Sequence, residues 1–408
     1  MEILPAAGDA EEPEVVGKSI EMQTEVWRNL PEELLAPILA HLPWWSNLRL
    51  QPVCKSWNSL LRNSELLYKF SPPPPPRLPC CIVRTSCGGA IFNLALRKWH
   101  VIPPSLLLPS SQSPDGYQVV AAAGGVFLLE GREEDMGRFL VNPLNKSRKR
   151  LPPLPAPEQG NRSTCTILGM VVDRETHMHR IIAEQTEYEE VESPSAALRD
   201  PFGATKFCEI YVYDMNTKIP SWELATTLQS EIDLCLEIEN AVIVANDLYI
   251  LMVQPFGWCW MYRVFKALHT SWSEVPAEIA FDLGHVHLFE HRGCLMLVGG
   301  TDVMKSDKNL TVDIWRMDMV KLVWEHMLTM PEELIKKLCA LPENGIFYRF
   351  DVEGDYACFI NPFTEVTITC DIVKKAWGWI DRHEYSNNFE YIDDLIFLFQ
   401  PRLDIVLN

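Results

Sequence analysis

Residues 27–61 read WRNLPEELLAPILAHLPWWSNLRLQPVCKSWNSLL, two amphipathic helix patterns in succession. Pro31, followed by Glu32 and Glu33, predicts the start of the first helix, because proline fixes φ there and carboxylates favour the positive end of the helix dipole. Apolar residues then recur at helical spacing, and a second set repeats the pattern from Val53 to Leu61. So short a segment buries little by itself, since domains below roughly 40 residues usually need support. We therefore expect part of this apolar surface to contact another protein.

The order of these residues resembles the F-box. The resemblance implies docking onto a Skp-type adaptor of a cullin–RING ubiquitin ligase. It assigns adaptor contact, or the shaping of the contact surface, to Leu30, Pro31, Leu34, Leu35, Ile38, Leu39, Leu42, Leu48, Val53, Cys54, Trp57 and Leu60. Pro37 departs from the pattern and should kink or shorten the first helix, because proline removes one backbone hydrogen bond. The alternative is an ordinary helical hairpin packed on the rest of the protein. The sequence does not separate adaptor contacts from contacts between the helices.

Composition narrows the classes of function. The 408 residues are 47% hydrophobic and carry a net charge of −19, which disfavours nucleic acid as a partner. A net negative charge of this size is consistent with basic protein partners or simply with solubility. No apolar run reaches the roughly 18 residues of a membrane span, and we expect no secretory signal. The 12 cysteines lack a repeated spacing, so we expect reduced thiols that mostly fill the core.

The chain is predicted to be a multidomain protein, α followed by all-β. Residues 1–26 are acidic and unpatterned, which indicates a flexible tail. The resemblance places the F-box at residues 27–70. Residues 71–79 include five consecutive prolines, Pro72 to Pro76, which favour a semi-rigid extended spacer over a merely proline-rich loop. Short β-type runs separated by turn residues fill 80–408.

A tryptophan period marks this β region. Trp222, Trp272, Trp324 and Trp377 are spaced by 50, 52 and 53 residues. Trp99 lies upstream, and Arg150 stands about 51 residues after it, where the pattern repeats without tryptophan. An Asn or Asp that makes a turn precedes most of these positions. A period near 50 is typical of a kelch-type β-propeller, and these positions predict about six blades, each tryptophan filling the gap between neighbouring sheets.

Further short motifs strengthen this interpretation. Cys294–Gly300 resembles the kelch double-glycine strand, while Asn142-Pro143 and Asn361-Pro362 resemble the F-box-associated domain of plant proteins, a degenerate relative of kelch. We expect strands from the two ends of 80–408 to pair, because an unclosed propeller leaves exposed edges.

Two further features are candidate sites. The segment 183–206 carries Glu184, Glu187, Glu189, Glu190 and Glu192, and is predicted to be a loop that contacts a basic target or is simply solvated. His285 and His287, with His291 nearby, and the pair His177 and His179 could hold a metal. No acidic or thiol partner follows at a suitable spacing, so we expect no metal site, no cofactor and no catalytic residues. Phosphate-loop, nucleophile-elbow and zinc-protease motifs do not occur in the sequence.

The resemblance to F-box/kelch-repeat proteins of plants implies a substrate-recognition subunit of an SCF-type (Skp–cullin–F-box) E3 ubiquitin ligase. The F-box would dock on the adaptor, and the propeller would capture an unknown protein target in the nucleus and/or cytoplasm. A non-degradative scaffold or transcriptional co-regulator anchored through the F-box is the alternative. A propeller enzyme would need a bound metal.

Overall fold

The computed structural model describes two compact units. One comprises the described residues of 152–384, and the other comprises those of 30–151 together with 396–407. The described residues are 30–42, 46, 50–51, 53–62, 79–85, 88–94, 97–102, 117–131, 137–156, 162–172, 178–188, 205–215, 217–228, 237–256, 259–268, 271–280, 283–301, 310–339, 348–361, 366–380, 396–402 and 407. The predicted tail 1–26 and the prolines 72–76 lie outside them.

Three helices have both ends in the described part of the chain: α1 (Glu32–His41), α2 (Lys55–Arg62) and α3 (Glu332–Leu338). The start of α1 follows the sequence prediction, since the Leu34 and Leu35 amides both donate to the Pro31 carbonyl at 3.0 Å. None of the described helices is long and apolar enough to cross a membrane.

The prediction that Pro37 shortens the first helix is wrong. The helix α1 continues past Pro37 to His41, whose Nδ1 lies 2.7 Å from the Pro37 carbonyl oxygen. Proline inside a helix removes one backbone hydrogen bond and crowds the carbonyl four residues before it. Leu39 and Ala40, which follow it, are buried in the core of the helical segment, and this packing holds the last turn in place.

Strands make up most of the described chain. In chain order they are β1 (Cys80–Thr85), β2 (Gly88–Asn93), β3 (Lys98–Ile102), β4 (Tyr117–Ala123), β5 (Val126–Gly131), β6 (Arg138–Val141), β7 (Arg148–Arg150), β8 (Arg162–Val172), β9 (His179–Tyr188), β10 (Thr205–Asp214), β11 (Trp222–Leu228), β12 (Glu237–Val244), β13 (Asp247–Phe256), β14 (Cys259–Leu268), β15 (Ser271–Glu274), β16 (Leu283–His291), β17 (Cys294–Thr301), β18 (Val312–Asp318), β19 (Val323–Thr329), β20 (Arg349–Glu353), β21 (Tyr356–Ile360), β22 (Thr367–Asp371), β23 (Ala376–Ile380) and β24 (Ile396–Phe399).

Within the described ranges these strands form six four-stranded antiparallel sheets. The first sheet has the order β24-β1-β2-β3, and the second to sixth sheets are β4–β7, β8–β11, β12–β15, β16–β19 and β20–β23. The predicted pairing of the chain's two ends occurs in the first sheet, where β24 pairs antiparallel with β1 and Cys80 lies opposite Phe399.

Neighbouring sheets within each unit share apolar cores. One core joins the first and second sheets through Phe127 and Phe399, whose ring centroids lie 4.9 Å apart. Others join the third to the fourth sheet, the fourth to the fifth and the fifth to the sixth. Successive four-stranded antiparallel sheets that bury their faces against one another define a β-propeller, which is the predicted class of fold.

Tight turns connect the first two strands of several sheets. The turn between β4 and β5 is Gly124-Gly125, with φ of 53° and 84°. Two-residue turns with positive φ at both positions match the natural twist of a hairpin. Gly125 has a further constraint, because a Cβ atom there would lie 2.8 Å from the Arg402 Cβ and 2.9 Å from the Gln400 carbonyl oxygen. The chain after β24 therefore passes close to this turn.

The periodic tryptophans all lie in the fourth strand of a sheet. Trp99, Trp222, Trp272, Trp324 and Trp377 belong to β3, β11, β15, β19 and β23. Arg150 holds the equivalent place in β7, opposite Phe139, with its guanidinium carbon 5.8 Å from the Phe139 ring centroid. Trp99 lies opposite Phe92 in the same way, at 5.2 Å between ring centroids. Arginine thus occupies the ring-packing position where the second sheet lacks its tryptophan.

Asn and Asp make the turns that precede the fourth strands, as the sequence predicts. The Asp318 carboxylate accepts hydrogen bonds from the Val320 and Lys321 amides, each at 2.9 Å. These bonds, with that from the Lys321 side chain, lower the pKa of Asp318 to about 2. Asn142 accepts a bond from the Leu144 amide in the same manner.

The predicted loop 183–206 is partly wrong. Its first residues continue β9 to Tyr188, and its last two belong to β10. Ala183 is fully buried and Glu187 is 6% exposed, because the strand pairs on both sides with β8 and β10. Glu184 also lies in β9, whereas Glu189, Glu190 and Glu192 fall outside the described residues.

Candidate docking surface of the helical segment

The helices α1 and α2 share a small apolar core. Its buried members are Leu35, Ala36, Leu39, Ala40, Trp57, Leu60 and Leu61. Leu30, Leu42 and Leu50 pack against them while staying partly exposed. Among the described residues, this core does not include the other apolar side chains of the two helical patterns.

Several residues of the same predicted pattern remain outside this core. Leu34 and Val53 are each 58% exposed, and Ile38 is 37% exposed. Pro31 and Cys54 are also exposed. Side chains of this size lose favourable burial when left in water, so a group of them on one small segment indicates an interaction surface. We call Pro31, Leu34, Ile38, Val53 and Cys54 the docking surface.

The structure thus divides the twelve residues that the sequence placed together. Leu35, Leu39, Trp57 and Leu60 hold the helices against each other, and Leu30 and Leu42 border that core. Five others form the docking surface, while Leu48 lies outside the described residues. Helical periodicity identifies all of them as apolar positions, but only the packing of α1 on α2 decides which are covered.

Backbone geometry fixes the edges of the docking surface. Pro31 stands at the start of α1, beside the exposed carboxylates of Glu32 and Glu33. At the start of α2, the Trp57 amide donates to the Cys54 sulfur at 3.4 Å. Lys55 and Ser56, which follow Cys54, are exposed. Acidic residues therefore flank the start of α1, and a basic residue flanks the start of α2.

The histidines that could hold a metal by sequence have other surroundings in the structure. A bulge in β16 separates Gly284 from His287, and His285 takes a φ of 47°. His287 stacks on Phe350, with ring centroids 6.0 Å apart. Burial, with a smaller effect of His285, lowers the pKa of His287 to about 4. His179 is 1% exposed in β9, and His177 is outside the described residues.

Metal and thiol chemistry gain no support from the described parts of the chain. They contain no group of three or more His, Cys, Asp or Glu side chains arranged to hold a metal ion. Cys54, Cys208, Cys294, Cys339 and Cys370 are free thiols. Burial raises the pKa of Cys208 and of Cys370, which makes the reactive thiolate less available at both.

Comparison with known proteins identifies the helical segment. A family model described as F-box-like matches residues 27–71. Over nearly the whole chain, the sequence is similar to several curated plant proteins. It is 30% identical to the protein ABERRANT PANICLE ORGANIZATION 1 of Oryza sativa subsp. japonica, over 88% of this chain and 83% of that protein.

Two relatives from Arabidopsis thaliana extend the comparison. The protein UNUSUAL FLORAL ORGANS is 21% identical over 90% of this chain and 81% of its own length. An F-box/kelch-repeat protein is 22% identical over 92% of this chain and 89% of its own length. Fold and docking surface together define an F-box protein with a kelch-type β-propeller. The chain belongs to the plant F-box protein family, whose propeller-bearing members are typically SCF substrate receptors.

Proposed function

We propose that this chain is a substrate-recognition subunit of an SCF-type E3 ubiquitin ligase, with its docking surface bound to a Skp-type adaptor. The observation that carries the proposal is the exposure of Leu34, Ile38 and Val53 on a helical segment whose described core does not include them. Burying an aliphatic side chain fully is worth about 1.5–3 kcal/mol. An adaptor that covers these three would gain a free energy typical of an interface anchor.

The two sets of apolar residues have different roles in this proposal. Leu34, Ile38 and Val53, with Pro31 and Cys54, touch the adaptor. Leu35, Leu39, Trp57 and Leu60 keep α1 and α2 in the arrangement that presents those contacts. Leu30 and Leu42 border the core of the helical segment, and Leu48 stays a predicted contact of the same set.

The rest of the chain captures the target. In this proposal the F-box spans 27–70, the proline-rich linker spans 71–79, and the propeller spans 80–408 with each four-stranded sheet as one blade, six in all. A cullin–RING assembly reached through the adaptor supplies the chemistry, so the chain itself is not an enzyme and needs no cofactor. Holding target lysines near the charged conjugating enzyme raises their effective concentration. The site of action is the nucleus and/or cytoplasm.

Co-purification with a Skp-type adaptor tests the proposal. The native chain is compared with a variant carrying Leu30→Ala and Pro31→Ala, and circular dichroism confirms that both are folded. We expect the native chain to retain the adaptor and the variant to lose most of it. A folded native chain that retains no adaptor would overturn the proposal and favour a propeller scaffold that works outside the ligase.

A further inference from the structure

The turn between β6 and β7 joins three distant parts of the chain. It spans residues 142–147, which we call the junction turn. Its conformation is fixed by Asn142, which is fully buried and whose side chain accepts a hydrogen bond from the Leu144 amide at 2.9 Å. The Asn142 amide also donates to the Ser147 carbonyl oxygen, and the Asn142 carbonyl oxygen accepts from the Lys146 amide. Leu144 is 2% exposed and packs in the core of the first two sheets.

The helical segment reaches this turn through Gln51. The Gln51 Nε2 donates to the Leu144 carbonyl oxygen at 3.0 Å, across 93 residues of sequence, and Gln51 is 6% exposed. A buried side-chain amide that loses its hydrogen-bond partner carries a desolvation penalty. Gln51 lies between Leu50, which packs on the core of the helical segment, and the exposed Val53 of the docking surface. The bond therefore ties the docking surface to the second sheet at one defined point.

The end of the chain reaches the same turn. The Asn142 Nδ2 donates to the Arg402 carbonyl oxygen at 2.8 Å, and the Leu407 amide donates to the Ser147 hydroxyl at 3.0 Å. Both segments follow β24, the strand that completes the first sheet. The junction turn is consequently held by the C-terminal segment on one side while it accepts Gln51 on the other.

We propose that Gln51 is a positioning residue, which fixes the orientation of the docking surface on the first two sheets by its bond to a junction turn secured by the C-terminal segment. The inference rests on the proposed function in one respect: a fixed orientation of the docking surface would hold the target at a constant place relative to the ligase. The connection is polar, directional and buried, so it specifies orientation more than it adds stability. It also makes that orientation depend on complete C-terminal pairing.

A distance measurement on the full chain tests this. A ketone-bearing amino acid at the exposed positions Ser59 and Gln118 takes spin labels without touching the 12 cysteines. Pulsed electron paramagnetic resonance then gives the distribution of distances between α2 and β4. We expect Gln51→Ala and Gln51→Met to broaden that distribution at least twofold, because neither side chain can donate to the Leu144 carbonyl. Ser147→Ala, which removes the acceptor for Leu407, should broaden it less.

The control is Asn58→Ala in the same segment, since the buried Asn58 Oδ1 has no hydrogen-bond partner in the described structure. It should leave the distribution native. Circular dichroism and adaptor titration accompany each variant, and adaptor affinity should stay within twofold of native. A native distribution in a folded Gln51→Met chain would overturn the inference. Failure of the native chain to bind adaptor would overturn the proposed function alone, because the distances are measured without adaptor.

Discussion

Similar apolar residues are exposed in the helical segment and buried in the sheets. In the sixth sheet, Trp377 is fully buried in a core shared with the fifth sheet. In the helical segment, Leu34 and Val53 stay more than half exposed and do not belong to the described core. The difference teaches that a regular apolar pattern marks surface that something must cover. A neighbouring sheet covers it in one region, and a partner protein is expected to cover it in the other.

The largest expected effect tests the buried side of this comparison. Trp377→Ala removes a fully buried indole whose ring lies 5.7 Å from that of Phe359. We expect the free energy of unfolding to fall by about 3–5 kcal/mol. Urea unfolding followed by circular dichroism measures the loss. Val320→Ala, at a side chain 92% exposed, is the control and should change stability little. Equal losses in the two variants would contradict the assignment of Trp377 to the core.

The next prediction concerns the pH dependence of stability that a buried histidine gives to the sheets. The folded pKa of His287, about 4, lies below the ordinary value of about 6.5. A histidine with a depressed folded pKa gives stability that is present above pH 6.5 and is lost as the pH falls through 4. We expect unfolding to be about 2 kcal/mol easier at pH 5 than at pH 8.

The matched variant for this prediction is His287→Phe, which keeps a ring against Phe350 but cannot titrate. His285 and the buried Tyr348, which also faces His287, stay unchanged. The variant should lose this part of the pH dependence in urea titrations at the two pH values. An unchanged difference between pH 5 and pH 8 would show that another group is responsible.

The next effect concerns the exposed side of the comparison. Leu34→Ala with Val53→Ala should weaken adaptor binding about tenfold or more, since truncated interface anchors cost more than 1 kcal/mol. The free energy of unfolding should change by less than about 0.5 kcal/mol, as is usual for surface positions. Isothermal titration with adaptor measures the first and urea unfolding the second. Val320→Ala, also exposed but outside the helical segment, should bind adaptor as the native chain does.

The smallest effect concerns Arg150, which stands where the tryptophan period of the sheets lacks its tryptophan. Its guanidinium faces Phe139 while the side chain stays exposed. An exposed cation–π contact is worth about 0.5–1 kcal/mol, so Arg150→Ala should lower the free energy of unfolding by about that amount. Urea unfolding measures this loss of stability, which should be much smaller than the loss in Trp377→Ala. A loss as large as that of Trp377→Ala would mean that Arg150 does more than replace a ring contact.

Much of the fold was predictable because its signals are local. The tryptophan period predicted the repeated sheets, because the same short pattern recurs along the chain. Asp318 and Asn142 predicted turns, because each turn depends on residues only a few positions apart. In the segment 183–206 the many acidic residues predict a loop. Its beginning is a strand instead, since β9 pairs with β8 and β10 and carries Glu187 into a buried position. Pairing of this kind overrides composition.

The sequence by itself determined the F-box resemblance, the class of fold and the apolar positions of α1 and α2, because these follow from spacing along one chain. Only the tertiary structure decided which of those positions are covered. It separated Leu35 from Leu34, although they are neighbours, because α2 packs on one side of α1. It also brought Gln51 to Leu144 and Asn142 to Arg402, across 93 and 260 residues. Contacts at such separations depend on how the sheets and ends of the chain come together, and no local pattern encodes them.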